Sequence, residues 1–295
     1  MSNTPHVAVV GLGAMGLPMA TRLVPDFPVT VFDIDADRRA QVVGSGAAGA
    51  TTPARAAENA ELVLVAVRDQ QQVDAALFGD DGVATALRPG TVVILTSTVG
   101  PDAARATASR LAEVGGRLVD APVSGGPARA GAGDLLIVVS GAEDDLNNAR
   151  PVLDALASTL TEIGSAPGDA QGLKAINQLL AGVHIAAAAE AVAMARSLGL
   201  DPSTVIDALS KGAAGSFMLA DRGPRMVEAY GDGAEVRSRL DIFVKDMGIV
   251  TDIAQQAHVP TPLAAAAQQL YLMGERAGLA AADDSSVVTL LSPEE

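Results

Sequence analysis

Residues 7–16 read Val-Ala-Val-Val-Gly-Leu-Gly-Ala-Met-Gly, an apolar strand pattern running straight into a turn with glycine at its first, third and sixth positions. Few folds accept that combination. Gly11 permits a tight turn, Gly13 lets the backbone approach a pyrophosphate, and Gly16 lets the following helix pack closely on the strand. Leu12, Ala14 and Met15 complete the turn, so that the helix N-terminus faces the phosphates. The glycine pattern alone is a weak signal. Its context strengthens it, because a strand precedes it, a helix pattern over 17–23 follows, and a second strand at 29–32 ends in Asp33, 22 positions after Gly11. An acidic side chain at that place can accept from the adenosine ribose hydroxyls and repels a 2′-phosphate, which favours NAD over NADP. A solvated strand-end carboxylate is the plainer reading of Asp33, and the nearby Arg38 and Arg39 keep NADP open as the less favoured cofactor.

The same alternation continues. Apolar, β-branched runs at 6–11, 29–32, 62–67, 92–95, 117–119 and 135–139 are separated by helix-length Ala- and Leu-rich stretches. Strands this apolar belong in a parallel sheet covered on both faces. After Gly164 the pattern changes: 171–197 reads as one long Ala-rich helix, and no convincing strand follows. We therefore expect an α/β Rossmann-type domain over 1–164 and an all-α domain over 165–295, joined by a long interdomain helix. That helix is nearly apolar on every side, which requires burial all round. A helical half of about 130 residues can hardly provide this alone, and a dimer wrapped around the helix is the expected remedy. The acidic tail from Ala281 to Glu295 is expected to be loosely held.

Composition narrows the function. With 35 acidic and 20 basic side chains the formal charge is −15, which disfavours nucleic acid and anionic membranes. Zero cysteines exclude disulfides and thiolate catalysis, and the scattered His6, His184 and His258 do not suggest a metal site. No charged-then-apolar leader opens the sequence, so a cytoplasmic location is expected.

Open parallel sheets bind ligands beyond the carboxyl ends of their strands. Beyond these strands stand Arg68-Asp69-Gln70, Thr96-Ser97-Thr98 and Ser124-Gly125-Gly126-Pro127. Ser124, Gly125 and Gly126 offer a hydroxyl and unobstructed N–H groups, a donor nest suited to a carboxylate, although Gly-Gly-Pro is also an ordinary loop breaker. Arg68 reads as a surface residue by default. Lys174, Asn177 and Gln178 stand at i, i+3 and i+4 and present an ammonium and two amides on one helix face. A buried lysine there could exchange a proton, whereas a solvated first turn is the alternative. His184, about 15 Å further along the helix by rise, suits packing or an interface.

These motifs, taken in order, closely resemble the β-hydroxyacid dehydrogenase family, which includes 3-hydroxyisobutyrate dehydrogenases and tartronate semialdehyde reductases. They are Gly-Leu-Gly-Ala-Met-Gly-Leu-Pro-Met-Ala at 11–20, Ser-Thr-Val-Gly-Pro at 97–101, Asp-Ala-Pro-Val-Ser-Gly-Gly at 120–126, Lys-Ala-Ile-Asn-Gln at 174–178 and Lys-Asp-Met at 245–247. The resemblance implies that Lys174 is the catalytic acid/base with Asn177 beside it, and that Ser124, Gly125 and Gly126 hold the carboxylate of a small anionic hydroxy acid. It further implies that Thr98 and Lys245 contact the cofactor with Asp246 in support, and that the chain assembles as a homodimer or homotetramer. Where many members have a second asparagine, this chain has Gln178, a longer amide that would suit a substrate with several hydroxyls. The wording at 177–191 and 237–246 looks most like the L-threonate dehydrogenase branch, whose enzymes oxidise four-carbon sugar acids at C2. An imine reductase shares this architecture but typically lacks the lysine, and a non-catalytic NAD sensor would have lost the lysine or the carboxylate loop; both are present here.

Overall fold

The structure is a computed structural model describing residues 4–291, and the chain divides into two compact units, Met1–Lys174 and Ala175–Glu295. In the first unit the elements run β1 (Val7–Val10), α1 (Gly16–Leu23), β2 (Val29–Phe32), α2 (Ala36–Gly44), β3 (Ala48–Gly49), α3 (Pro53–Ala57), β4 (Leu62–Val65), α4 (Gln70–Phe78), β5 (Val92–Leu95), α5 (Pro101–Glu113), β6 (Arg117–Asp120), β7 (Val123–Ser124), α6 (Gly126–Ala132), β8 (Leu135–Ser140), α7 (Glu143–Leu156) and β9 (Ala157–Gly164). The sheet is ordered β3-β2-β1-β4-β5-β6-β8-β7, and β9 pairs with β8.

The continuous apolar runs have a simple cause. Successive side chains of a strand point to opposite faces, and both faces here are buried. Val7 and Val9 of β1 enter a core with α1 and α7, where Met19, Leu23, Val152 and Leu156 are completely buried or nearly so. Ala8 and Val10 enter the opposite core, with Val73 and Leu77 of α4 and Leu111 of α5. The strand order reverses at β1 and β4, which are hydrogen-bonded neighbours. The glycine turn therefore leaves β1 at the topological switch point, where open α/β sheets bind ligands.

The expectation of a wholly parallel sheet holds from β3 to β6 and fails beyond it. β8 runs antiparallel to both β6 and β7. Val123 and Ser124 lie back against β8 immediately after β6, using up the chain length that a parallel crossover needs. The strands β3, β7 and β9 leave no mark in the sequence pattern: two are only two residues long, and β9 has no fully buried residue and no alternation of burial.

The long helix α8 (Asp169–Ser197) starts in the first unit and continues into the second. The second unit adds α9 (Pro202–Ser210), α10 (Phe217–Glu228), α11 (Leu240–Gln256) and α12 (Pro262–Arg276), followed by a 3-10 turn at Asp284–Leu290. These pack around the small residues of α8. A Cβ on Gly182 would lie 2.3 Å from the Met247 sulfur, so α11 seats directly on that glycine. Tyr271 stacks on Phe243 and donates to the Gly182 carbonyl at 2.7 Å.

One chain alone does not cover the long helix, as its all-round apolarity leads one to expect: Ile176, Leu180 and Met194 are 65%, 51% and 64% exposed. By length and hydropathy α8 could cross a membrane, yet half of its most apolar window is buried inside the protein, and Gln171 and Gln178 are buried on it. One expectation for this half needs correction, because the tail is not loosely held: Asp284, Ser285, Val287 and Val288 are completely buried. Its acidity meets Arg222 and Arg225 of α10, with Arg222 Nη2 3.0 Å from Asp284 and Arg225 Nε 3.0 Å from Asp283. Charge complementarity, together with the burial of Val287 and Val288 in the core, folds this segment; residues 292–295 of the expected tail lie outside the described residues.

Candidate active site

In the first unit the three turn glycines have three different constraints. Gly11 has φ +95°, and a Cβ there would lie 2.6 Å from the Ala66 carbonyl oxygen. A Cβ on Gly16 would come within 1.9 Å of the Gly11 carbonyl oxygen, so this position fixes the closeness of turn and helix. Gly13 meets nothing within 4 Å. Its lack of a side chain serves no contact of the protein with itself, and the space in front of it suits an approaching pyrophosphate. No side chain caps α1 and no acidic residue lies in its first turn, which leaves the positive end of the helix dipole available to an anion.

Asp33 is not a solvated strand-end carboxylate. It is buried, and it accepts from the backbone N–H of Leu12 at 2.5 Å and from that of Asp35 at 2.8 Å. The acidic residue and the glycine turn form one rigid piece. Arg38 pairs with Asp35, and Arg39 donates to the Asp33 carbonyl. Arg68 is exposed beside Asp69 at 3.1 Å.

Beyond β5, Ser97 is buried and accepts from the Val67 N–H at 3.1 Å, joining the ends of β4 and β5; Thr98 follows, half-buried. Beyond β7, Gly125 and Gly126 have φ +138° and +77°, backbone conformations that favour glycine, and a Cβ on Gly126 would meet nothing within 4 Å. Ser124, just before them, is half-buried.

The start of α8 is held by a network whose members carry no assignment from the sequence alone. Asp120, at the end of β6, is completely buried and accepts from the N–H of Gly168 at 2.9 Å, the N–H of Gln171 at 3.1 Å and Gln171 Nε2 at 2.8 Å. Gln171 Nε2 also donates to the Ser97 carbonyl at 3.0 Å, while its Oε1 accepts from the N–H groups of Val99 and Gly100. Ser140 Oγ accepts from the Ala170 N–H at 3.1 Å. Burial pushes the Asp120 carboxyl above its ordinary value, although the bonds from Gln171, Gly168 and Ser140 oppose the shift. The first turn of α8 is thereby fastened to the ends of β5, β6 and β8. Lys174, half-buried, stands one turn further on. A usable signal is present in the chain: an aspartate closing an apolar strand and a glutamine three residues before the lysine are both costly to bury without partners.

In the second unit the structure brings together Asn177, Gln178, Lys245 and Asp246. Asn177 Nδ2 donates to Gln178 Oε1 at 2.8 Å, Gln178 Nε2 donates to Asp246 Oδ2 at 2.5 Å, and Lys245 Nζ lies 2.7 Å from Asp246 Oδ1. Gln178 and Asp246 are 7% and 3% exposed, whereas Asn177 is half-buried. His184 is half-buried on the same helix. Among the described residues no cluster of three or more acidic or histidine side chains could hold a metal ion.

Comparison with known proteins identifies the family. Residues 6–164 match the NAD binding domain of 6-phosphogluconate dehydrogenase, and residues 168–291 match the NAD-binding domain of NADP-dependent 3-hydroxyisobutyrate dehydrogenase. The chain is 41% identical to L-threonate dehydrogenase of Cupriavidus necator over 286 residues, covering 97% of this chain and 95% of that protein. It is 38% identical to L-threonate dehydrogenase of Escherichia coli K12 over 289 residues, again covering 97% and 95%. The crystal structure of 3-hydroxyisobutyrate dehydrogenase from Salmonella typhimurium superposes with a TM-score of 0.90 at 36% identity, over 97% of this chain and 99% of that one. With its Rossmann-type unit and following helical unit, the chain belongs to the β-hydroxyacid dehydrogenase family related to 3-hydroxyisobutyrate dehydrogenase, on the L-threonate dehydrogenase branch.

Proposed function

We propose that this enzyme oxidises L-threonate, or a near isomer such as D-erythronate, at C2 to 2-oxo-tetronate, with NAD as acceptor and Lys174 as general acid/base. The observation that carries the chemistry is the fastening of α8 by Asp120 and Gln171, which holds the first turn, and hence Lys174, at the strand ends where such sheets bind ligands. The identity to L-threonate dehydrogenases over nearly the whole chain supports the choice of acid.

Bound nicotinamide supplies the hydride acceptor for the carbinol carbon. Lys174 takes the hydroxyl proton and polarises the nascent carbonyl oxygen. The N–H groups at Ser124, Gly125 and Gly126 grip the carboxylate, so that only a hydroxyl at a fixed distance from it meets the lysine. Thr98 and Lys245 serve as cofactor contacts. The preference for NAD follows from Asp33, whose carboxylate is built into the glycine turn, and from Arg38 and Arg39, which are engaged with Asp35 and the Asp33 carbonyl rather than poised for a 2′-phosphate. The apolar stripe of Ile176, Leu180 and Met194 supports assembly as a homodimer or homotetramer.

The test is NADH appearance, read by its near-ultraviolet absorbance, with L-threonate, D-erythronate, D-glycerate and 3-hydroxyisobutyrate, using Lys174→Ala as control. We expect turnover with the four-carbon sugar acids and a loss of roughly 10²–10⁴-fold in the variant, the scale of general acid–base catalysis. Preference for glycerate or 3-hydroxyisobutyrate would overturn the substrate assignment, and a variant that keeps most of its turnover would overturn the role of the lysine.

A further inference from the structure

We infer that Asp246 is a positioning residue that fixes, through Gln178, which atom of Asn177 is offered to the substrate, and that the chain thereby selects acids carrying a further hydroxyl beside the reacting carbinol. The inference rests on the oxidation of a hydroxy acid proposed above.

An amide side chain has two different ends, a carbonyl that accepts and an NH₂ that donates. A carboxylate only accepts. Gln178 must therefore turn Nε2 toward Asp246 Oδ2, as it does at 2.5 Å. Its Oε1 is then directed to Asn177, which answers with Nδ2 at 2.8 Å. The relay has one polarity along its whole length: acceptor, amide, amide. Asp246 is held in turn by Lys245, whose Nζ is in ion-pair contact with Oδ1 though not aligned as a hydrogen bond. Both carboxylate oxygens thus face donors.

The free end of the relay is Asn177 Oδ1, an acceptor on the same helix as Lys174 and three residues after it. An acceptor there suits a hydroxyl, which donates, and gives nothing to a methyl or methylene group. With a shorter second amide at position 178 the relay would not span to Asp246 in the same way, because asparagine lacks one methylene. The longer glutamine thus sets the polarity of its neighbour. Leaving a built acceptor unpaired is what makes a polar site reject an analogue lacking the hydroxyl.

The experiment reverses the relay. Gln178→Glu places two carboxylates together, so one must hold a proton for the chain of bonds to survive. Gln178→Glu combined with Asp246→Asn restores it, since the introduced asparagine donates to the introduced glutamate, which still accepts from Asn177. The charged group facing this pair is Lys245 on α11, in ion-pair contact with Asp246; Tyr271 on α12 is committed to Gly182.

For the acid that the wild type turns over best, we expect kcat/KM of the single variant to fall at least tenfold at pH 8 and to recover toward pH 6. The double variant should return to within about threefold of wild type with no such pH dependence. The preference for that acid over its deoxy analogue should collapse in Asp246→Asn alone and return in the double variant. In parallel, the Gln178 side-chain NH₂ protons in nuclear magnetic resonance spectra should be protected from solvent exchange in the wild type and lose that protection in Asp246→Asn. A double variant no better than the worse single one, or unchanged protection in Asp246→Asn, would overturn the inference. The wild-type substrate panel tests the reaction separately, and the exchange measurement reads the relay even if no acid on that panel is oxidised.

Discussion

Two regions of this molecule bury carboxylates completely, and they hold them by opposite means. Asp120, in the first unit, is bound only by dipoles: two backbone N–H groups, the Gln171 amide and, at 3.5 Å, the Ser140 hydroxyl. Asp283 and Asp284, in the second, lie against Arg225 and Arg222. A cation does not by itself decide the charge state. Burial pushes Asp284 above its ordinary value despite the Arg222 fork. Burial also pushes on Asp283, but bonds from Ser285 and from the N–H groups of Arg237 and Ser238 outweigh it and leave that carboxyl below its ordinary value. Donors aimed at the carboxylate outweigh burial at Asp283 but not at Asp120, where burial prevails over four of them. The difference suits the two tasks. A cation beside Asp120 would stand about one helical turn from Lys174 and repel it, whereas neutral donors fasten the helix without altering the charge around the lysine. The tail carries no such chemistry, and two arginines can anchor it.

The comparison breaks most visibly at Arg225. It is 4% exposed and links Asp283 to Asp221. Arg225→Ala leaves a buried carboxylate short of its cation, and we expect a loss of about 3–5 kcal/mol in denaturant unfolding. Turnover per folded molecule should stay within about twofold. A loss below about 1 kcal/mol would show that the backbone donors alone hold Asp283.

Asp120→Asn tests the other side. The substitution keeps the shape but turns an NH₂ toward groups that already donate, at an expected cost of about 2–3 kcal/mol. Unlike Arg225→Ala, it should also lower kcat, by tenfold or more, because the helix start that carries Lys174 loses its register and reactions are sensitive to misplacement of about 1 Å. Binding of NAD, measured by fluorescence titration, should change far less. A variant that loses stability but keeps kcat would make Asp120 a purely structural residue, equivalent to those of the tail.

How much of this is legible in the sequence divides along the same line. Glycine spacing, the acidic end of β2 and the clustering of Lys174, Asn177 and Gln178 are local patterns, and the structure places Asp33 at the turn and Gln178 beside Asp246. The two-unit architecture is readable because strands buried on both faces leave no polar alternation. The networks that hold these groups are not readable. Asp120 and Gln171 are 51 positions apart, and Asp284 and Arg222 are 62 apart, so local composition can mark a polar residue as costly to bury but cannot name the partner it will meet. The acidic tail misleads for that reason: its partners lie on α10. The antiparallel turn of β8 escapes the sequence pattern because β7, only two residues long, shows no periodicity.

The smallest effect sharpens the contrast through pH. The Asp120 carboxyl is raised above its ordinary 3.8 in the folded chain, so the unfolded chain ionises first as pH rises. Through that window the native state binds more protons, and its stability falls with rising pH. Asp284, also raised, acts in the same direction. Asp283, lowered, acts in the opposite one: its contribution is complete above 3.8 and is lost as pH falls through the folded value. A tenfold difference in proton affinity between the folded and unfolded chain corresponds to about 1.4 kcal/mol. Unfolding midpoints measured from pH 3 to 7 should therefore decline less steeply on the neutral side of pH 4 in Asp120→Asn than in the wild type. Asp283→Asn should instead remove the part of the acid-side loss that sets in below 3.8. If both substitutions flattened the same limb, the two carboxylates would be under the same control, and the distinction between donors and cations would lose its force.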